Sequence, residues 1–269
     1  MSKIGTNQMA VNAQKAMSQI QRKMTKTMEK LSTGLRINKP NDDPAGLSIS
    51  TKMTSQVTGF NTAAKNINDA IAMVQTIDGA LGEQVNLMQR MRELAVQSVS
   101  ETYVAADRTM METEFDNLVQ EIVRISADTK WNTEAVLDST ARQIQVGADS
   151  GDTITYTEPH GSNYGLTSAD ISVGSSVSAA AAITQIDTDI ATANTSRATA
   201  GAFITRFEGA LDTALEMVQN VTDTRSRILD TDYAAELAEL AKLQIMQQAT
   251  NAMMAQANTT PQSVLAMLT

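Results

Sequence analysis

Residues able to do covalent chemistry are scarce in this sequence. His160 is the only histidine, and cysteine is absent. A zinc protease motif of the H-E-x-x-H type needs two histidines, so a chain with one cannot supply it. Thiolate nucleophiles and disulfides are excluded by the same composition. No Gly-rich phosphate loop and no Ser/His/Asp set is present, and no catalytic residue, metal or cofactor is expected. His160, followed by Gly161 and Ser162, reads as a surface loop residue. The carboxylate pairs Asp42/Asp43 and Asp230/Asp232 lie where helical patterns break, and helix capping accounts for them. One charged stretch stands out, Gln89-Arg90-Met91-Arg92-Glu93-Leu94-Ala95-Val96-Gln97. On a helix it turns Met88, Met91 and Ala95 inward and leaves Arg90, Arg92 and Glu93 to solvent. Arg90 offers a planar donor fork, which suits the anchor of an interface.

Composition narrows the partners. Net charge is −9, against nucleic acid, whose affinity rests on neutralised phosphates, and against anionic membrane surfaces. Aromatics make up 3% of the chain, while Met (16) and Ala carry much of the apolar content. Such interiors suit helices packed closely side by side. The first residues contain no continuous apolar core of the signal-peptide kind, and no run of about 20 apolar residues could span a bilayer. Neither a cleaved signal nor membrane insertion is expected.

Helical elements must position the charged stretch. Met17, Ile20, Met24, Met28, Leu31 and Leu35 follow steps of three or four, which predicts a first helix with these on one face. Pro40, Asn41, Asp42, Asp43, Pro44 and Gly46 then break it. A second helix is predicted over 45–98, about 80 Å long. Met53, Phe60, Ile67, Val74, Leu81, Met88 and Ala95 recur in it every seven residues, the mark of a coiled-coil-like seam. A third helix over 105–128 turns Met111, Phe115, Leu118, Ile122 and Ile125 inward. Short alternating runs at 143–146 and 153–157, separated by Gly147, Asp149, Ser150, Gly151 and Asp152, predict a β-hairpin, with loop onward to about 178. Heptads return over 179–228 on Ile186, Ala193, Ala200, Phe207, Ala214, Val221 and Ile228, with Arg197 interrupting the companion position. A last helix carries Leu237, Leu240, Ile245, Met246, Ala249 and Met253, and Pro261 is expected to interrupt it.

The expected fold is mainly α: a long antiparallel helical bundle or coiled-coil rod with a small β-hairpin region, and the N- and C-terminal helices paired. The end segments are expected to stay largely disordered in the monomer and to order only when many copies pack together. Ordering backbone costs about 1–2 kcal/mol per residue, and one apolar stripe per helix leaves little to offset it.

The motifs "LSTGLRINKPNDDPAGLSIS", "NDAIAMVQTIDGAL", "LMQRMRELAVQS", "RFEGALDT" and "RSRILDTDYAAELAELAKLQIMQQATNAMMAQAN", in this order, closely resemble bacterial flagellin. The resemblance covers nearly the whole chain outside its middle. It implies a flagellar filament subunit that is secreted, extracellular and not an enzyme. It implies that 1–39 and 235–269 form an inner-tube domain, 40–46 and 229–234 a connecting spoke, and 47–228 the rod domain of the outer tube. The hairpin and loop region falls at about 132–178, too short for the outer domains many flagellins insert. Self-assembly would rest on Met17, Ile20, Met24, Met28, Leu31, Leu35, Leu237, Leu240, Ile245, Met246, Ala249 and Met253. Partners implied are other copies of the chain, the flagellar cap and hook-associated proteins, and an export chaperone on the C-terminal segment. Export unfolded through the flagellar type III apparatus is also implied. The family's Toll-like receptor 5 and protofilament contact falls here on Arg90, Leu94 and Glu114, with Gln89, Arg92, Glu93 and Gln97 nearby. A hook–filament junction protein shares flagellin-like ends, and a secreted helical adhesion module is the alternative from another class.

Overall fold

A computed structural model describes residues 7–159, 161 and 172–266, so His160 lies outside the described residues. The element order is α1 (Gln8–Thr33), α2 (Pro44–Val99), α3 (Ala105–Asp128), β1 (Lys130–Trp131), β2 (Glu134–Ala135), β3 (Ala141–Gln145), β4 (Thr153–Thr157), α4 (Ser176–Leu229) and α5 (Tyr233–Ala266). The mainly α class, the paired terminal helices and the β3–β4 hairpin all stand as the sequence predicts. Contacts divide the chain into two units, Met1–Ser55 with Asn220–Thr269, and Gln56–Gln219. The long helices α2 and α4 contribute to both.

The terminal unit is built from caps and a thin seam. Asn7 starts α1, its Oδ1 accepting the Ala10 N–H at 3.1 Å, and Gly34 stops it in the left-handed region at φ 72°. Asp43 Oδ1 accepts the N–H groups of Ala45 and Gly46, which starts α2 with Pro44 in its first turn. Asp232 Oδ1 does the same for Ala234 and Ala235 at the start of α5. Between α1 and α5 the buried residues are Ala13, Ile20 and Thr27 on one side, and Leu243, Thr250 and Ala257 on the other. Each set repeats every seven residues, and the two helices run antiparallel: Lys30 pairs with Glu236 at 3.3 Å, and Asn7 Nδ2 donates to the Ala257 carbonyl at 2.8 Å.

That last bond bears on Pro261, which does not interrupt α5; the helix continues to Ala266. A proline at 261 has no N–H to give the carbonyl four residues back, which is that of Ala257. Asn7 supplies the missing donor from α1.

The second unit has a continuous core. Val85, Met88, Met91 and Ala95 of α2 pack with Phe115 and Ile122 of α3 and with Ala179, Ala182, Ile186 and Ala193 of α4. Farther along the same two long helices, Ile67, Val74, Ile77 and Leu81 meet Ala200 and Phe207, and the hairpins complete the cluster with Val136, Leu137, Ile154 and Tyr156. The third place in the packing is thus filled first by α3 and then by β-structure. Tyr156 meets Phe203 edge-on, ring centres 4.9 Å apart. The alternation of β4, with Ile154 and Tyr156 buried and Thr153, Thr155 and Thr157 exposed, sets which face it presents.

Two local features differ from expectation. A second hairpin, β1–β2, turns through Asn132 and Thr133 at φ 48° and 73°. Its two-residue turn lacks the glycine that makes such turns legible. Along α3 the buried line passes through Val119 and Ser126, with Leu118 and Ile125 only partly buried. Arg197, which breaks the α4 heptad, donates to Asp78 on α2 at 2.8 Å, so the interruption is an ion pair at the edge of the core.

Candidate interaction surfaces

The charged stretch lies on α2 between α3 and α4. Arg90 donates through Nε and Nη2 to Glu114 Oε1 at 3.1 and 2.9 Å, and through Nη1 to Glu93 Oε2 at 2.9 Å. Its bonds to Glu114 and then Glu93 hold the guanidinium even more firmly protonated than usual. Arg92 donates to Asp187 Oδ1 at 2.7 Å. The two arginines therefore tie α2 to α3 and to α4. Gln97 Nε2 donates to the Tyr103 hydroxyl at 3.0 Å. Gln89, Arg92, Glu93, Val96 and Gln97 line an open surface groove, and Val96 is 49% exposed.

Leu94 does not belong to this surface. It is 2% exposed and packs in the α2–α3–α4 core, because it falls on the same buried arc as Met91 and Ala95. A contact role for its side chain in the folded monomer is corrected accordingly. Arg90, Glu93 and Glu114 remain together and exposed.

The terminal pair distributes its apolar residues unevenly. On α1, Ile20 is buried and Met17, Met24 and Leu31 are half-buried; Leu35, expected on the same helix, lies past the Gly34 stop, half-buried and bridged to Asp230. Met28 is 47% exposed, because Thr27 holds the seam position one residue before it. A small residue there lets two backbones approach. On α5, Leu240 is half-buried, whereas Leu237, Ile245, Met246 and Met253 are 54, 66, 42 and 60% exposed. Ala249 is exposed too. The buried line of α5 instead uses Leu243, Thr250 and Ala257, which a search for large apolar residues passes over. No charged residue follows Lys242, so the exposed residues Ile245, Met246 and Met253 lie in an uncharged stretch, whereas Leu237 lies between Glu236 and Glu239.

The break segments pair with each other. Arg36 N–H donates to the Leu229 carbonyl at 2.6 Å, and Thr231 N–H to that of Gly34 at 3.0 Å. Tyr233 donates its hydroxyl to the Leu31 carbonyl at 3.0 Å. Asp42 accepts from Asn38 and Lys39 N–H groups and pairs with Lys26 at 2.6 Å. The Lys26 bond, with these backbone donors, holds its carboxyl below the usual range. All four aspartates of the breaks thus serve local structure; Asp230 accepts from Ser226 at 2.6 Å.

Two groupings escaped sequence reasoning. Arg108 of α3 donates to the Ser98 and Ser100 carbonyls at 3.0 and 2.9 Å, satisfying the C-terminus of α2. A cation a few residues beyond a helix end was the available signal. The other is Glu158, whose side chain is fully buried. Arg142 donates to it, to Glu134 at 2.6 Å and to the Ala135 carbonyl at 2.9 Å. Among the described residues Glu158 Oε2 meets no hydrogen-bond partner at ordinary distance, and burial pushes the carboxyl up to about 7. Asp138 and Arg142 are the neighbouring charges. Among the described residues, no group of three His, Asp or Glu side chains could hold a metal ion.

The family model of the bacterial flagellin N-terminal helical region matches residues 4–142, and that of the C-terminal helical region matches 183–268. The chain belongs to the bacterial flagellin family. A flagellin of Halalkalibacterium halodurans is 41% identical over 98% of this chain and 99% of its own length. The flagellin of Bacillus subtilis is 34% identical over 99% of each. A flagellar filament 30.7 kDa core protein of Treponema maltophilum is 34% identical over 90% of each. The crystal structure of Bacillus cereus flagellin aligns with a TM-score of 0.51 at 32% identity, covering 56% of this chain and 88% of that one. Flagellins are structural proteins of the extracellular flagellar filament. This flagellin is a short form, and none of its described helices is long and apolar enough to cross a membrane.

Proposed function

We propose that this flagellin polymerises with its own copies into the filament, and that neighbouring copies complete the terminal helix pair. The observation that carries this is the apolar surface that α5 leaves exposed among the described residues, with Leu237, Ile245, Met246 and Met253 outside the seam. Burying large apolar side chains against a sister molecule supplies the stabilisation that a seam of Ala and Thr lacks. In the same proposal 1–39 and 235–269 form the inner tube, 47–228 the surrounding tube, and 40–46 with 229–234 the spoke. The cap, hook-associated proteins and a chaperone on the C-terminal segment are its partners in export and assembly. Purified monomer added to filament fragments is expected to elongate them without limit. Addition that stops after one layer favours the hook–filament junction reading, and no addition favours a separate helical adhesion module.

The surface of Gln89, Arg90, Arg92, Glu93 and Gln97 with Glu114 is proposed as a protofilament contact and as the part of the monomer that Toll-like receptor 5 recognises. Support comes from its exposure and from the preformed Arg90–Glu114 pair. Arg90→Ala is expected to weaken receptor activation while leaving the monomer's thermal transition in place; unchanged activation refutes it. Leu94→Ala is a poorer probe, because it opens the core.

A further inference from the structure

In the terminal unit, methionines lie outside the seam. Met246, Ala249 and Met253 follow steps of three and four on one flank of α5, and all three are exposed. By contrast Met73, Met88, Met91 and Met111 in the other unit are at most 9% exposed. With no cysteine in the chain, thioethers are its only sulfur. Lys242, one turn before Met246, is the last charged residue of the sequence and is engaged with Glu239 at 3.0 Å, and no charged residue lies within two turns of Met253.

We propose that Met246 and Met253 form an oxidation-sensitive site on the free subunit, and that sulfoxide at this site blocks its addition to the filament. The inference rests on the proposal that α5 is covered by a second copy. The oxidant is a peroxide. Each thioether sulfur gives two electrons to hydrogen peroxide, whose O–O bond breaks; one oxygen becomes the S=O group and the other leaves as water. An adaptable apolar side chain becomes a polar one that must then be buried between copies. Desolvating the new S=O dipole between copies opposes assembly. Oxidation also depends on the state of the chain. Met246 and Met253 react in the free subunit and are shielded once a neighbour covers α5.

The experiment treats monomer and assembled filaments with hydrogen peroxide, maps oxygen uptake by peptide mass, and follows seeded elongation. In the monomer, Met246 and Met253 are expected to oxidise well before Met88 and Met91, and elongation to slow about tenfold or more. M246L/M253L, which keeps apolar volume, is expected to elongate normally before and after peroxide, although exposed Met9, Met28, Met110 and Met217 still oxidise. M246Q/M253Q is expected to elongate slowly with no oxidant. Filaments are expected to protect both methionines. Equal oxidation of core and α5 methionines, undiminished elongation after treatment, or no protection by the double Leu variant overturns the site. If untreated chain never elongates, the subunit proposal itself fails, and this inference with it.

Discussion

The two units solve the same packing problem with different materials. In Gln56–Gln219, α2 buries a wide arc in which Ile67, Val74, Ile77, Leu81, Met88 and Met91 are essentially inaccessible, because helices or hairpins cover it from more than one side. In the terminal unit, α1 and α5 cover each other along one line. Among the described residues, Ile20 and Leu243 are the large apolar residues buried there; Ala13, Thr27, Thr250 and Ala257 complete it. A helix needs neighbours on more than one side to bury a broad apolar face, and α5 has such a face without enough neighbours. Gln56–Gln219 closes its core with its own residues. The terminal unit is made specific by caps, the Asn7–Ala257 bond and the paired breaks.

The largest expected effect is in amide exchange. In monomer, backbone amides of 8–33 and 233–259 should exchange roughly a thousandfold faster than those of 67–95, because local opening of a thin seam costs far less than opening the main core. Comparable protection in both regions removes the contrast. Next, Phe207→Ala should cost about 3–5 kcal/mol and lower the monomer's main thermal transition. Ile20→Ala should leave that transition nearly in place while slowing seeded elongation.

The buried Glu158 gives the second unit a pH dependence of its own. Its carboxyl sits near 7 in the folded state, above the ordinary carboxylate range, so the folded chain holds this proton more tightly than the unfolded chain. The stability it contributes is present at pH 4 and is lost as pH rises toward 7, then levels off. Denaturant titrations at pH 5 and pH 8 should therefore show Glu158→Gln narrowing the difference by roughly 2 kcal/mol. An unchanged difference means that the Arg142 pair compensates burial fully. A smaller effect is expected at Gly59. Ala is the better helix former by roughly 1 kcal/mol, yet an added Cβ would stand 2.9 Å from the Ala148 Cβ and 3.2 Å from its Cα. Gly59→Ala should destabilise the second unit by about 1–2 kcal/mol through displacement of the hairpin turn; a rise in its thermal transition shows that the turn can move away freely.

Much of this was legible because it depends on period. The heptad through Ile67, Val74, Leu81, Met88 and Ala95 fixed the buried side of α2, and the two-residue alternation of Ile154 and Tyr156 fixed that of β4. Flagellin motifs at both ends carried the family. Legibility failed where burial did not follow residue size. Met28, Ile245, Met246 and Met253 look like core by hydrophobicity, and Thr27 and Thr250 do not, yet the seam took the threonines. The flagellin resemblance puts Leu94 in the contact stretch, yet its side chain is core while those of Arg90, Arg92 and Glu93 are surface. Pro261 read as a stop, since nothing near it in sequence hints that a side chain from residue 7 accepts the consequence.

The sequence by itself determined where α2 and α5 begin and where α1 ends, since Asp43, Pro44, Asp232 and Gly34 act on the adjacent backbone. It also set which periodicity each segment carries, and which chemistry is unavailable to a chain with one histidine and no cysteine. Only the tertiary structure decided which of several apolar flanks on α5 becomes the seam, which way the Leu94 side chain is buried, and that Glu158 is shut away beside Arg142. Those outcomes depend on what a distant segment brings into contact, and a single helix offers several faces of similar hydrophobicity among which only the partner's shape and hydrogen-bonding needs can choose.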